Sequence, residues 1–572
     1  MDLRNVVFAI ALSFAVLFGW SVIFETPKIE EQKKLEQNEN LKNKNQKSDS
    51  PDAPNVNFEQ KDIEVISRED AIKSSKRVTF ENPNVVGSIS LKGAVIDDIT
   101  FKKYNESLGS EKKVTYLNPE QTNEGYFVET GWAASNIKSI SLPNKNSLWN
   151  VKGNNKLSET NPVILEWNNK SGFIFRKKIE LDDKFLFRIT QEIENRSNNT
   201  IELYPYAQIT RNQKPVLEAG SMSGTLILHD GFIGVFDEDL KEHDYDDIKD
   251  KKKEHNANNG WLGITDKFWI TALVPEKDQP FRGEFVYKSE SFKANYILNK
   301  PVIIKPSSTK TSGTRIFVAA KEVKVIDGYA EAESINKFDL TIDWGWLYFL
   351  TKPLFFVINY LFELTKNFGI AIILVTAAVR MLFFPLANYS FRSMAKMKIL
   401  QPELLRLKEL NKDDKVKLQQ EMMALYKREK VNPLSGCLPI LIQIPFFFAI
   451  YKMLLISLEM RHQPFFGWIK DLSAQDPTSI FNFFGLIPWD PPSFLIIGAW
   501  PIMMGATMFL QQKLNPTPPD PIQAKIFMFF PLFLTVILAP FPSGLVVYWT
   551  MNNVLTIAQQ WVIMRTTTVK TR

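Results

Sequence analysis

The sequence predicts a polytopic α-helical membrane protein, with six transmembrane helices of which five form a C-terminal core, carrying a large all-β domain on the outer side. Three observations predict it. Nineteen uncharged residues, Val6–Phe24, follow Arg4, enough helix to cross a hydrocarbon core of ~30 Å. A polar middle block then shows short period-two alternation between Gly, Asn, Asp and Pro, the pattern of half-buried strands. Beyond it, long apolar runs return. A mean hydropathy of −0.15 over 572 residues therefore averages two solvents and describes neither part. One cysteine excludes an internal disulfide framework, a cysteine zinc site and an iron–sulfur cluster. The net charge of +6 gathers near apolar segments, where it reads as membrane topology rather than nucleic-acid affinity.

Residues 1–27 are expected as an uncleaved anchor, because Ser21-Val-Ile-Phe-Glu25 offers no small-x-small cleavage site. Residues 28–60 hold almost no large apolar side chains and read as a disordered linker. Residues 61–338 read as a β-sandwich, from runs such as Gly172–Leu181, Phe185–Ile193 and Thr314–Ala319. The acidic run Asp237–Asp247 reads as an exposed loop, with a paired-carboxylate sugar site as the sharper alternative. The four histidines show no HExxH spacing, and neither GxSxG nor GxxxxGK[ST] occurs. No catalytic residue, metal or cofactor is expected.

Residues 339–366 form an aromatic amphipathic segment suited to a membrane interface. The core, 367–565, holds five expected spans near Gly369–Leu386, Ser435–Leu458, Phe494–Leu510, Ile526–Ala539 and Gly544–Met564, the fourth short at about 14 residues; 566–572 is a tail. The loop 388–432 carries eleven basic residues against six acids, whereas 459–493 carries only Arg461 and Lys470. Positive-inside bias puts 388–432 and both termini in the cytoplasm and the β domain outside. Loop 388–432 itself reads as two amphipathic helices, Ser390–Leu410 and Asp414–Lys430, around an Asn411–Asp414 turn. Its Met394, Met397, Met422 and Met423 either fill the hairpin seam or offer an adaptable surface for capturing varied apolar substrates.

Within the spans, Arg380 lies about six residues from the cytoplasmic end, where a charge costs a few kcal/mol unless hydrated or paired. Snorkelling is the plain alternative. Thr376 precedes it by one turn, and Gln443 lies at similar depth in the second core span. Tyr548, Asn552, Thr556 and Gln559 make one polar stripe on the last span, and Thr507 starts a shorter one on the third. These groups either link neighbouring helices or line a hydrated groove open to the cytoplasm. No Asp or Glu lies inside a span, so a cation pathway has no support. A groove with a fixed positive charge would accept a short polar or acidic segment of a new membrane protein while the adjoining apolar helix moves into lipid.

Met394-Ala-Lys-Met397, Leu400-Gln-Pro402, Gln420–Lys427, Lys430–Leu434, Gly436–Pro445, Asp471–Pro477, Phe541–Leu545 and Gln559-Gln560 resemble the YidC/Oxa1/Alb3 family of membrane-protein insertases. The resemblance implies a groove at Arg380 and Gln443, substrate contacts around Tyr548, Trp549 and Thr556, and a β-supersandwich at 61–338. It also implies insertion, folding and assembly of inner-membrane proteins, independently of and together with the Sec translocase (SecYEG, SecDF). Nascent membrane proteins, the ribosome and membrane lipids are the further partners implied. Ala539-Pro540 departs from the family pattern at the outer end of the last turn. The rival reading is a membrane-anchored periplasmic carbohydrate-binding or glycan-modifying protein, which a convergent carboxylate pair in the β domain would favour.

Overall fold

The computed structural model describes residues 65–134, 140–215, 228–411, 414–429, 431, 438–489, 491–492, 495–515 and 521–570. The expected anchor at 1–27 and linker at 28–60 lie outside the described residues.

The alternating middle block forms two large sheets. In one, the order is Lys253–Ala257, Phe281–Lys288, Ser291–Leu298, Ile201–Arg211, Tyr126–Ala133, Val95–Asn105, Val85–Ser90, Arg77–Glu81 and Lys156–Leu157. In the other it is Asp239–Asp244, Gly231–Phe236, Gly260–Thr265, Trp269–Pro275, Ser308–Ala320, Leu186–Asn195, Phe173–Leu181, Val163–Asn168 and Asn150–Lys152. Alternation puts one face of each strand inside: Phe173, Phe175, Ile179 and Leu181 are buried along a single strand. Phe80 of one sheet meets Phe187 of the other edge-on at 5.3 Å, and Tyr296 shares a 2.6 Å hydrogen bond with Thr314 across the gap. Lys177 also crosses it, donating to the Thr130 carbonyl at 2.7 Å. Burial pushes its ammonium down to about 8.

The acidic run is not a loop. Asp239–Asp244 is an edge strand paired with Gly231–Phe236, and Tyr245–Asp250 follows as a short helix with Tyr245 and Ile248 buried. An edge strand keeps one flank solvated, so it tolerates charges that an interior strand would reject. The strand brings His243 to His255, with Nε2 atoms 3.4 Å apart. Elsewhere Arg176 alone holds three carboxylates, Glu166, Glu192 and Glu194, at 2.9, 2.6 and 2.7 Å.

The helical region comprises α1 (Tyr348–Thr365), α2 (Phe368–Leu382), α3 (Phe384–Leu410), α4 (Lys415–Arg428), α5 (Leu438–Ile456), α6 (Ala499–Leu514), α7 (Pro521–Leu538) and α8 (Ser543–Lys570). The span expected as Gly369–Leu386 breaks near Phe383, where α2 and α3 meet at 69°. Pro385 in the first turn of α3 lacks the amide that would have continued the α2 ladder. Among the described residues no single helix is long and apolar enough to cross a membrane; α2 and α3 pass that test together, and Gln443–Ile456 and Gln523–Leu538 are apolar but short. The last helix runs 28 residues and fails on hydropathy, lowered by its own polar stripe. The fourth expected span is longer than its apolar run, 18 residues from Pro521. Gly505 lets α6 approach α7: a Cβ there would stand 2.0 Å from Thr535 Oγ1.

The loop between α5 and α6 is fixed by side chains. Asp476, 1% exposed, accepts from the Trp500 amide at 2.9 Å and from Trp468 Nε1 at 3.1 Å. The turn into α8 is held to the same loop by Ser543 N to Ala474 O at 2.7 Å and Gly544 N to Leu472 O at 2.9 Å. The β domain joins the helices through a continuous core containing Phe338, Ile342, Trp344 and Phe355. Polar links add to it: Val323 N to Glu459 at 3.0 Å, and Arg461 to the Asn105 and Glu106 carbonyls at 2.8 and 2.9 Å.

Candidate functional site

Arg380 sits in the last turn of α2, just before the bend. Its Nε donates to Asn552 Oδ1 and its Nη2 to Gln443 Oε1, each at 2.9 Å. One residue of α2 is thereby held by one of α8 and one of α5. Both acceptors are neutral amides, and no ion pair forms at this guanidinium among the described residues. Amides orient the fork and leave its positive charge uncompensated, with donors to spare.

Around this fork lies a cavity of about 30 Å³ lined by Thr376, Arg380, Gln443, Tyr548, Asn552 and Gln559, with Val379, Phe383, Leu386, Ala387, Phe446 and Ile450 as its apolar wall. That is space for a water or two. Gln559 Oε1 is buried and has no hydrogen-bond partner. Thr376 turns its hydroxyl onto Ile372 O at 2.7 Å, and Thr556 bonds Asn552 O at 2.6 Å, so both serve their own helices first. Six elements of sequence evidence thus converge on one point: Thr376, Arg380, Gln443, Tyr548, Asn552 and Gln559.

Three other residues lie elsewhere. Thr507 accepts from Asn553 Nδ2 at 3.2 Å on the α6 side of α8, and Gln560 donates to Asn515 at 2.9 Å farther along that side. The last helix therefore carries two polar stripes, and Thr507 belongs to the second. Sequence reading missed this because Asn552-Asn553 and Gln559-Gln560 are adjacent pairs, each dividing between two faces. Trp549 packs its ring on Phe447 at 4.7 Å and beside Met504 and Val546. Thr556 is one turn beyond Asn552, buried and outside the cavity wall.

The methionines divide as well. Met394 is buried against Ala387, Phe391 and Ile563, joining α3 to α8. Met397 and Met422 are half-buried, and Met423 is exposed. In the hairpin, α3 begins at Phe384 rather than Ser390, Asp414 caps α4 by accepting from Lys417 N at 2.9 Å, and Arg428 pairs with Glu403 at 2.8 Å.

A half-buried cation held by uncharged amides inside an apolar helical region suits recognition of a polar chain. Sequence comparison agrees. Residues 77–357 match the YidC periplasmic domain and residues 360–571 match the 60Kd inner membrane protein family. Curated relatives named membrane protein insertase YidC include that of Pelagibacter ubique, 56% identical over 571 residues and 100% of both chains. That of Methylorubrum extorquens is 46% identical over 88% of this chain and 83% of its own. A crystal structure of an active YidC insertase with its first transmembrane domain resolved aligns over 87% of this chain and 94% of its own, at 16% identity and a TM-score of 0.35. The chain belongs to the YidC family of membrane protein insertases, inner-membrane proteins with a periplasmic domain and no enzymatic chemistry.

Proposed function

We propose that this chain inserts, folds and helps assemble inner-membrane proteins, receiving the polar segment of a nascent chain at Arg380 while the adjoining apolar helix moves into lipid. The observation that carries the reading is the guanidinium held by Asn552 and Gln443 with no carboxylate partner. A carboxylate arriving on a substrate meets a cation already oriented and only partly hydrated, where the attraction exceeds its value in water. The polar wall shortens the dry path that segment must cross.

Six spans, cytoplasmic termini and an outer β domain form the proposed topology, supported by the charge difference between 388–432 and 459–493. Ile526–Phe530, Leu532 and Phe533 on α7 are exposed large apolar side chains, which suits a lipid-facing helix. Hairpin 388–432 is proposed as the capture element that hands substrate to the groove, with Met423 and its exposed neighbours as the contact. The ribosome, SecYEG, SecDF and lipids are proposed partners. The test is reconstitution in liposomes with a small Sec-independent substrate. Insertion above protein-free liposomes is expected, and an Arg380→Ala protein of equal abundance should fall well below wild type. Insertion no better than empty liposomes would defeat the reading.

A further inference from the structure

A second cavity, about 450 Å³, lies away from Arg380 where the β domain meets the outer end of α5. That is within the range of small-ligand sites. Its walls are His229, Glu242 and Asp244 from the sheet edge, Asp343, Trp344 and Trp346 from the chain entering α1, and Phe448, Tyr451 and Lys452 from α5. Nothing in the insertion reading uses it.

Its chemistry is bipolar. Asp343 is already satisfied, accepting from Lys452 Nζ at 2.6 Å, His229 N at 3.0 Å and Gly345 N at 3.1 Å. Lys452 thus stands as a fixed ammonium at one side. Beside it Trp344, a residue 2% exposed, contributes a flat apolar wall. On the other side Glu242 and Asp244 belong to the exposed edge strand. His229 gives its Nε2 proton to Phe232 O at 2.9 Å and turns Nδ1 to Asp244 at 3.5 Å. The cavity therefore offers an ammonium from α5 and two carboxylates from the edge strand. Phe448, 47% exposed on α5, continues the wall as an apolar surface.

We propose that this cavity holds the headgroup of a zwitterionic phospholipid bearing a primary ammonium, with its ammonium at Glu242 and Asp244, its phosphate at Lys452, and its acyl chains along Phe448. This rests on the membrane placement of α5 given above. A primary ammonium donates three hydrogen bonds to the carboxylates, and N-methylation removes them while keeping the charge, so the site distinguishes ethanolamine from choline headgroups.

The test is native mass spectrometry of the purified full-length protein from nanodiscs of equimolar phosphatidylethanolamine, phosphatidylcholine and phosphatidylglycerol. Retention of one phosphatidylethanolamine at about fivefold or more over phosphatidylcholine is expected. Glu242→Gln with Asp244→Asn should erase that preference, and Lys452→Gln should lower retention of both zwitterionic lipids together. Equal retention of the two by the wild type would overturn the proposal, as would a preference that survives the double substitution. The double variant changes exposed edge-strand side chains, and an unchanged melting temperature verifies its fold. Insertion is assayed separately in liposomes lacking phosphatidylethanolamine: activity there with no lipid preference sinks this site alone, and lipid preference without insertion sinks the insertase mechanism alone.

Discussion

At the scale of single residues, the two amides on Arg380 make a sharp prediction. If charge is what the site supplies, Arg380→Lys keeps most insertion, because an ammonium still attracts a carboxylate although it loses the planar fork. Arg380→Ala should impair substrates with an acidic translocated segment far more than matched neutral ones. The scale is set by the ~2.5–3.5 kcal/mol cost of a charge in mid-span, roughly a hundredfold in rate. Insertion of an acidic and neutral pair, normalised to insertase abundance, measures it; equal losses would make Arg380 a structural residue. A second prediction concerns His243 and His255, which burial holds down at about 4. Unfolded histidines take up protons near pH 6.5, so between about 6.5 and 4 the unfolded chain binds more protons and the fold loses stability as pH falls. Thermal melting across that window should drop, and His255→Gln should flatten the slope. The Arg380 cluster was legible in the sequence because charge and amides are rare in apolar runs. The histidine pair was not, since its members are twelve residues apart on strands of different sheets.

Among elements, the hairpin of α3 and α4 separates into a structural root and an outer part. Met394 belongs to the root, packed with Phe391 and Ile563. Deleting 396–428 spares that root and should leave a folded protein with poor substrate capture, read as a melting temperature within a few degrees of wild type and insertion down about tenfold or more. Normal insertion by the deletion would refute the capture role. Met394→Ala, by contrast, should act through stability, costing about 2–5 kcal/mol as a buried large-to-small change, with activity per folded molecule retained. Sequence periodicity gave the hairpin and its turn because amphipathic helices report their own period. It failed at Phe383, since an apolar run continues unbroken through a bend that depends on one missing amide at Pro385. Thr507 was misplaced for a related reason: helical spacing gives the faces of one helix and says nothing of which neighbour each face meets.

For the whole molecule, the question is how far the helical region depends on the β domain. Arg380 and its cavity draw every wall residue from α2, the bend at Phe383, α3, α5 and α8. Deleting most of residues 60–320 should therefore preserve insertion per molecule. Yield should fall, because Ile326, Tyr329 and Phe338 are buried in a core that the deletion opens. Insertion assays at matched protein level, with expression scored separately, distinguish the two; complete loss by a stably expressed deletion would contradict the placement of the groove. The β-rich character of this domain followed from alternation, whereas its strand order and its helices such as Val323–Ala332 did not, because pairing such as Arg77–Glu81 with Lys156–Leu157 joins distant segments that carry no mutual signal.

The 69° bend at Phe383 has a mechanical side. The buried cluster that ties α3 to α8 reaches Met394, and the stretch from there to Leu410 is a rod of about 24 Å at 1.5 Å per residue. A rod of that length amplifies rotation: 10° at its root carries the tip about 4 Å. Small angular changes near Arg380 and large excursions of the hairpin tip are then one motion seen at two radii, so a chain seated at the cavity and a chain held at the tip would each sense the other through leverage alone.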